Sequence, residues 1–175
     1  MKKNHILNIS LSALFCAIIC ILAQVAIQLP GMPLTLQTFA VALCGYLLGV
    51  KRGVCSVLAY ILLGLIGIPV FSGFKGGIQT LFGISGGFII GFIFLCLFCA
   101  FAQKLQKPIL KVVCSALGLI LCHVLGVVWL AVVSNTNILS AFLTVSAPFI
   151  LKDAVLIVLA YFIAKTVFKR TDIFK

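Results

Sequence analysis

The chain has 175 residues, 64% of them apolar and only 9% charged, with a formal net charge of +11 and a mean hydropathy of +1.37. An ordinary soluble domain is excluded, because several apolar runs reach the ~20 residues that a bilayer-spanning helix needs, and no polar linker is long enough to separate two domains. Nucleic acid is not the expected partner either: the basic residues stand singly or in pairs between apolar runs, as topology determinants do, and not on one basic face.

The pattern predicts one all-α domain over residues 1–175, a polytopic membrane protein of six transmembrane helices. Lys2 and Lys3 precede an apolar run, Ile6 to Leu29, that looks like a signal peptide. The run exceeds the usual ~7–15 apolar residues and no A-x-A site closes it, so it reads as a retained first helix over 7–28. Within it, Ala13 and Ala17 form a small-xxx-small pair that lets another helix come close. Pro30, Gly31 and Pro33 then force a turn.

A short second helix is expected over 35–49. Its start carries Thr35, Gln37 and Thr38, and a helix N-terminus adds free N–H groups. Lys51, Arg52 and Gly53 make the next turn, and a third helix runs over 54–70, its end loosened by Gly64, Gly67 and Pro69. The stretch 68–88 holds six of the fifteen glycines, at 73, 76, 77, 83, 86 and 87, with Lys75, Gln79, Thr80 and Ser85 among them. Glycine on this scale serves turns and close approach of a ligand or another backbone, which a plain membrane helix does not need. The fourth helix is placed at 82–102, the fifth at 109–133 after a basic loop of Lys104, Lys107 and Lys111, and the sixth at 147–168 after the polar break 134–137.

Six spans put both termini on one side. That side collects Lys2, Lys3, Lys51, Arg52, Lys104, Lys107, Lys111, Lys165, Lys169, Arg170 and Lys175, leaving only Lys75 and Lys152 of the thirteen basic residues opposite. The positive-inside rule makes the crowded side cytoplasmic. The Pro30–Thr38 turn, the glycine-rich stretch and the start of the sixth helix therefore meet at the outer face, where a ligand pocket is expected.

Asp153 is the most informative residue. The only other acid, Asp172, lies in the basic tail. Intramembrane carboxylates are costly and face interior cavities. Lys152 is its sequence neighbour, but adjacent helix positions point about 100° apart and do not face each other. Lys75 sits in the glycine-rich stretch, either reaching the pocket or solvated. Trp129 fits an interfacial belt or an aromatic pocket wall. His123, alone in an apolar helix, reads as structural. The eight cysteines lie in or beside apolar runs and read as small buried hydrophobes. The C-x-x-C at 96–99 lacks the polar setting of a zinc or redox site. With no Walker A pattern, nucleophile elbow, metal-ligand cluster or acid pair, no catalytic residue, metal or cofactor is expected.

Taken in order, PGMPLTLQT (30–38), GVKRG (49–53), IGIPVFSG (66–73), FGISGGF (82–88), GVVWL (126–130) and PF-x-x-x-D (148–153) resemble the BioY family, the biotin-binding S components of energy-coupling-factor (ECF) transporters. The resemblance covers nearly the whole chain. It implies a multi-pass cell-membrane protein that binds and translocates biotin as substrate, beneath the loops joining helices 1–2 and 3–4. It implies an ECF transmembrane coupling subunit and ATPase subunits as partners, with Ala13 and Ala17 docking the former. Asp153 matches the family's helix 6 aspartate, and Gly86 and Gly87 match its Gly-Gly at the helix 4 entrance. Three departures stand out: Phe88 replaces a common Tyr, Ile84-Ser85 replaces Pro-Thr, and Leu156 replaces a Lys one turn after the aspartate. Lys75 occupies a loop position where some members carry Asn. We therefore expect Lys75 or Lys152 to supply the positive charge missing at 156, pairing with the biotin carboxylate or with Asp153, and the expected substrate site comprises Asp153, Lys75, Lys152, Gly86, Gly87, Phe88, Gln37, Thr35 and Trp129. Two other classes compete: a solitary carrier for biotin or a related carboxylate such as lipoate, using Asp153, and a membrane subunit with no ligand.

Overall fold

The computed structural model describes residues 2–27 and 33–171, with no side-chain detail for 2–4. Its elements are α1 (Lys2–Gln24), β1 (Ala26–Ile27), β2 (Leu34–Thr35), α2 (Gln37–Leu65), α3 (Ile78–Leu81), α4 (Gly86–Lys104), α5 (Pro108–Val133), α6 (Ile138–Ala141), a π-helical turn (Phe142–Ser146) and α7 (Ala147–Arg170). Five long helical runs have the length and apolarity to cross a membrane.

One of these five is not a straight rod. In a straight helix, Gln37 and Tyr60 would stand ~35 Å apart at 1.5 Å per residue. Yet the Gln37 side-chain amide donates to the Tyr60 hydroxyl at 2.6 Å. Nearer the bend, Cys44 Sγ reaches the Gly53 carbonyl at 3.7 Å. The run is thus a helical hairpin with arms 37–48 and 50–65, reversed at Gly49, whose φ of +72° and ψ of −173° leave the helical region. The expected turn at Lys51–Gly53 is displaced: those residues are helical, because a glycine at positive φ reverses the chain in one step.

Other boundaries shift for local reasons. The first helix stops at Gln24 instead of 28, since Ala26–Ile27 pair antiparallel with Leu34–Thr35. The same ladder delays the second helix from 35 to Gln37. Gln28, expected to end the first helix, and Pro30 and Gly31 of the expected turn lie outside the described residues. The third helix ends at Leu65, short of 70, where Gly67 takes φ +101° ahead of Pro69. The fourth begins at Gly86 and not at 82, the fifth at Pro108, a residue suited to a first helical turn. The break at 134–137 is brief. Asn137 caps α6 by accepting from the Leu139 N–H, and the chain then runs through the π turn into α7, which extends to Arg170.

The hairpin α2 is the centre of the bundle, packed against α1, α4 and α7, while α5 lies along α4. The core joins Ile19, Val41, Tyr60, Leu95, Cys99 and Ala160 from four long elements, all buried. The α4–α5 seam is close because small residues line it. A side chain on Gly87 would strike the Leu125 carbonyl and the Trp129 side chain, and one on Gly91 would strike Cys122. Outward-facing Leu62, Phe101, Val128 and Phe162 are exposed apolar residues on long apolar helices. On membrane spans these are lipid-facing positions, where the helical backbone satisfies its own polar groups.

Candidate functional site

The bundle leaves a cavity at the end where β1–β2, the glycine-rich stretch and the start of α7 converge. Its polar lining includes Thr35, Gln37, Ser72, Lys75, His123 and Asp153; Phe88, Phe92 and Phe149 supply apolar wall. The glycine-rich stretch is held over it by specific bonds. Phe71 and Lys75 pair through their backbones at 2.9 and 3.2 Å, closing a tight turn over Gly73 and Phe74. The Gln24 amide at the end of α1 grips this turn: Nε2 donates to the Phe71 carbonyl at 3.1 Å, and Oε1 accepts from the Phe74 N–H at 2.9 Å. On the far side, Trp129 Nε1 donates to the Gly83 carbonyl at 3.0 Å.

Asp153 is buried, at 6% exposure. A buried carboxylate requires compensation, and two groups provide it. Lys152 Nζ lies 2.7 Å from Oδ1, and His123 Nε2 lies 3.3 Å from Oδ2. Oδ1 makes the ion pair but accepts no well-directed hydrogen bond within the described residues, so its lone pairs retain capacity for a donor. The other His123 nitrogen, Nδ1, is 2.8 Å from Ser146 Oγ. The result is an Asp153–His123–Ser146 chain linking α7, α5 and the π turn, with the Phe88 ring edge-on to His123 at 5.7 Å.

Lys152 makes one of the two pairings expected of a lysine replacing the charge missing at 156, the one with Asp153. Its Cα direction differs from that of Asp153, but four methylenes let the ammonium curl back. There it also donates to the Thr35 carbonyl at 2.9 Å and lies 5.5 Å from the centre of the Phe149 ring. It therefore bridges α7 to β2. Thr35 Oγ1 donates to Gln37 Oε1 at 2.9 Å, and Gln37 passes the network to Tyr60 in the second arm of α2.

Of the residues singled out from sequence, Thr35, Gln37, Lys75, Phe88, Lys152 and Asp153 line the cavity together. Lys75 stands exposed at its mouth. Gly86, Gly87 and Trp129 are not in the lining. They pack behind it, where a side chain on Gly86 would collide with the Leu81 carbonyl and the Trp129 indole. Their role here is to let α4 approach α5 and to fix the glycine-rich stretch. Ala13 and Ala17 are both exposed on one face of α1, far from the cavity in sequence and in the fold. The sequence reading missed His123 and Ser146 as partners of Asp153, although a lone intramembrane acid calls for such partners. It also missed Ser72, whose buried hydroxyl lines the cavity and makes no hydrogen bond among the described residues. No group of three metal-ligating side chains occurs among the described residues.

Chemically, the site offers an anion already paired with a cation, a free hydroxyl, a second cation at the mouth and aromatic walls. It suits a small, mostly apolar molecule with hydrogen-bonding groups at one end and a negative charge at the other. A family model described as the BioY family matches residues 1–172. A probable biotin transporter BioY of Pyrococcus horikoshii is 40% identical over 158 residues, covering 90% of this chain and 94% of that protein. The biotin transporter BioY2 of Lactococcus lactis is 37% identical over 132 residues, covering 74% and 72%. Among solved structures, the S-component for biotin from an ECF-type ABC transporter superposes with a TM-score of 0.86 at 28% identity, over 97% of this chain and 94% of that one.

Proposed function

The chain belongs to the BioY family, and from that premise we propose that it is the biotin-binding S component of an ECF-type transporter, a multi-pass protein of the cell membrane. It is a transport component and not an enzyme; biotin is its substrate, and no cofactor enters. The observation that carries the reading is the buried Asp153 with Lys152 and His123, set in a cavity of mixed aromatic and polar lining.

Biotin has a ureido group with two N–H donors and a carbonyl, an apolar fused ring and chain, and a terminal carboxylate. In the proposed pose Asp153 Oδ1 accepts from a ureido N–H, and Thr35, Gln37 and Ser72 serve the remaining ureido groups. Phe88, Phe92 and Phe149 cover the ring. Lys152 is committed to Asp153, which leaves Lys75 to meet the carboxylate at the mouth. Both lysines together thus replace the charge absent at Leu156.

The two arms of α2 make two spans, giving six in all with both termini cytoplasmic, as the distribution of basic residues supports. Exposed Ala13 and Ala17 form the docking face for the transmembrane coupling subunit. ATPase subunits supply the energy, since this chain has no Walker A pattern. The deciding experiment is equilibrium binding of biotin, lipoate and biotin analogues lacking the ureido group to purified protein. Biotin is expected to bind at least tenfold tighter than lipoate. Equal affinity for lipoate would refute a ureido-directed site.

A further inference from the structure

At the opposite end of α7 from Asp153, a crevice opens between α5 and α7. Its mouth carries Lys111 and Lys165, and its walls include Val112, Ala116, Ala154 and Val158. Tyr161 stands between the two lysines, with Lys111 Nζ 6.0 Å from its ring centre. Lys165 follows Tyr161 by four residues and so lies on the same face of α7. Neither lysine meets an acid among the described residues. The two ion pairs among the described residues both involve Asp153. Apart from the Tyr161 ring, the Lys111 ammonium meets a neutral partner, Gln103 Oε1, at 3.2 Å. The crevice is therefore cationic at one end and apolar along its length.

Its depth is informative. From Lys111 to Leu119 along α5 is ~12 Å, and from Lys165 to Ala154 along α7 is ~16 Å, at 1.5 Å per residue. Those lengths match half of the ~30 Å hydrocarbon thickness. One leaflet's acyl chain spans that depth, with its headgroup at the level of the lysines. Basic pockets between membrane helices on one face are suited to anionic headgroups.

We propose that this crevice is a binding site for an anionic phospholipid. The phosphodiester bridges Lys111 and Lys165, the glycerol region passes Tyr161, and one acyl chain lies over Val112, Ala116 and Val158. The inner end of the crevice touches Leu119, which also lines the ligand cavity, so the bound chain packs against the floor beneath Asp153. The occupant is a lipid and not a soluble anion, because the wall below the lysines is apolar and membrane-facing.

The test is lipid retention measured by native mass spectrometry on the intact protein in phosphatidylglycerol, against phosphatidylcholine as zwitterionic control. Retention of phosphatidylglycerol is expected to exceed that of phosphatidylcholine at least fivefold. It should fall at least fivefold in the double variant Lys111→Ala/Lys165→Ala. The double variant Lys104→Ala/Lys107→Ala removes equal charge at the same end but outside the crevice, and should retain lipid as the parent does. Ala116→Phe, which keeps both lysines and fills the crevice, should also lose lipid. Equal retention of the two lipids overturns the proposal. So does equal loss in both lysine double variants, or displacement of the lipid by millimolar inorganic phosphate.

Discussion

The two ends of α7 solve the same electrostatic problem in opposite ways. At the outer end, Lys152 finds its counter-ion in the next residue, and His123 and Thr35 complete the shell. At the other end, Lys111 and Lys165 face one another across a crevice with no acid among the described residues. Asp153 is the only acid among the described residues, so internal neutralisation occurs at that one place only. In the proposed pose that place recognises the neutral ureido group without importing a second charge. The other end takes its anion from the surroundings.

The sharpest way to break this comparison is to remove the acid. Asp153→Asn keeps the shape but strips Lys152 of its counter-ion. Deleting one member of a buried pair typically costs ~3–5 kcal/mol. The pair here is only partly shielded, since the Lys152 side chain is 23% exposed, so a stability loss at or below ~3 kcal/mol is expected, read as a lower melting temperature. Biotin affinity is expected to fall by about 100-fold, near 2.7 kcal/mol by affinity arithmetic, in a titration of purified protein. A loss below threefold would show that the polar cluster is structural and that the ligand sits elsewhere in the cavity.

A smaller effect separates the two outer lysines. Lys75→Ala removes an exposed side chain with no ion-pair partner among the described residues, so thermal stability should stay unchanged. Affinity for biotin should drop about tenfold, or ~1.4 kcal/mol, while affinity for biotin amide, which lacks the carboxylate, should not move. Lys152→Ala should weaken both ligands and lower the melting temperature, because it leaves buried Asp153 with His123 alone as compensation. If neither lysine variant loses more than about twofold in biotin affinity, the assignment of compensating charge to these two residues is wrong.

Much of the architecture was legible because it follows from coarse physics. Runs of apolar residues located the helices, and Asp153 announced an interior polar site because carboxylates are so costly within a membrane. What escaped was set by single residues and long side chains. The backbone of Gly49, not the charged pair after it, reverses α2, and no composition rule picks that glycine from fifteen. Which of Lys75 and Lys152 pairs with Asp153 was left open, because a helical wheel discards the side-chain flexibility by which Lys152 reaches it. His123 and Ser146 meet Asp153 only because α5, the π turn and α7 pack together, a long-range fact. The glycines at 86 and 87 were legible as important but not as to why: they admit α5 and Trp129, and the cavity wall passes them by, from Ile84 and Ser85 to Phe88.

The mildest perturbation tests whether the polar network extends from the cavity into the core. Tyr60 is fully buried, and its hydroxyl accepts from the Gln37 amide at 2.6 Å. Tyr60→Phe keeps the ring packed edge-on against Phe71 and removes only that acceptor. The Gln37 N–H then loses its partner in a buried setting, at a cost of ~1–3 kcal/mol, unless the amide turns toward the cavity. That choice makes the variant informative. If Gln37 stays fixed, stability falls by ~1 kcal/mol, seen as a lower melting temperature, and biotin partly restores it by supplying an acceptor. If Gln37 instead reorients freely, stability is unchanged and affinity shifts by less than twofold. The hydrogen bond between the two arms of α2 would then be dispensable for holding Thr35 and Lys152 in register. The first outcome is expected, since Gln37 Oε1 is already held by the Thr35 hydroxyl at 2.9 Å, which restrains the amide from turning.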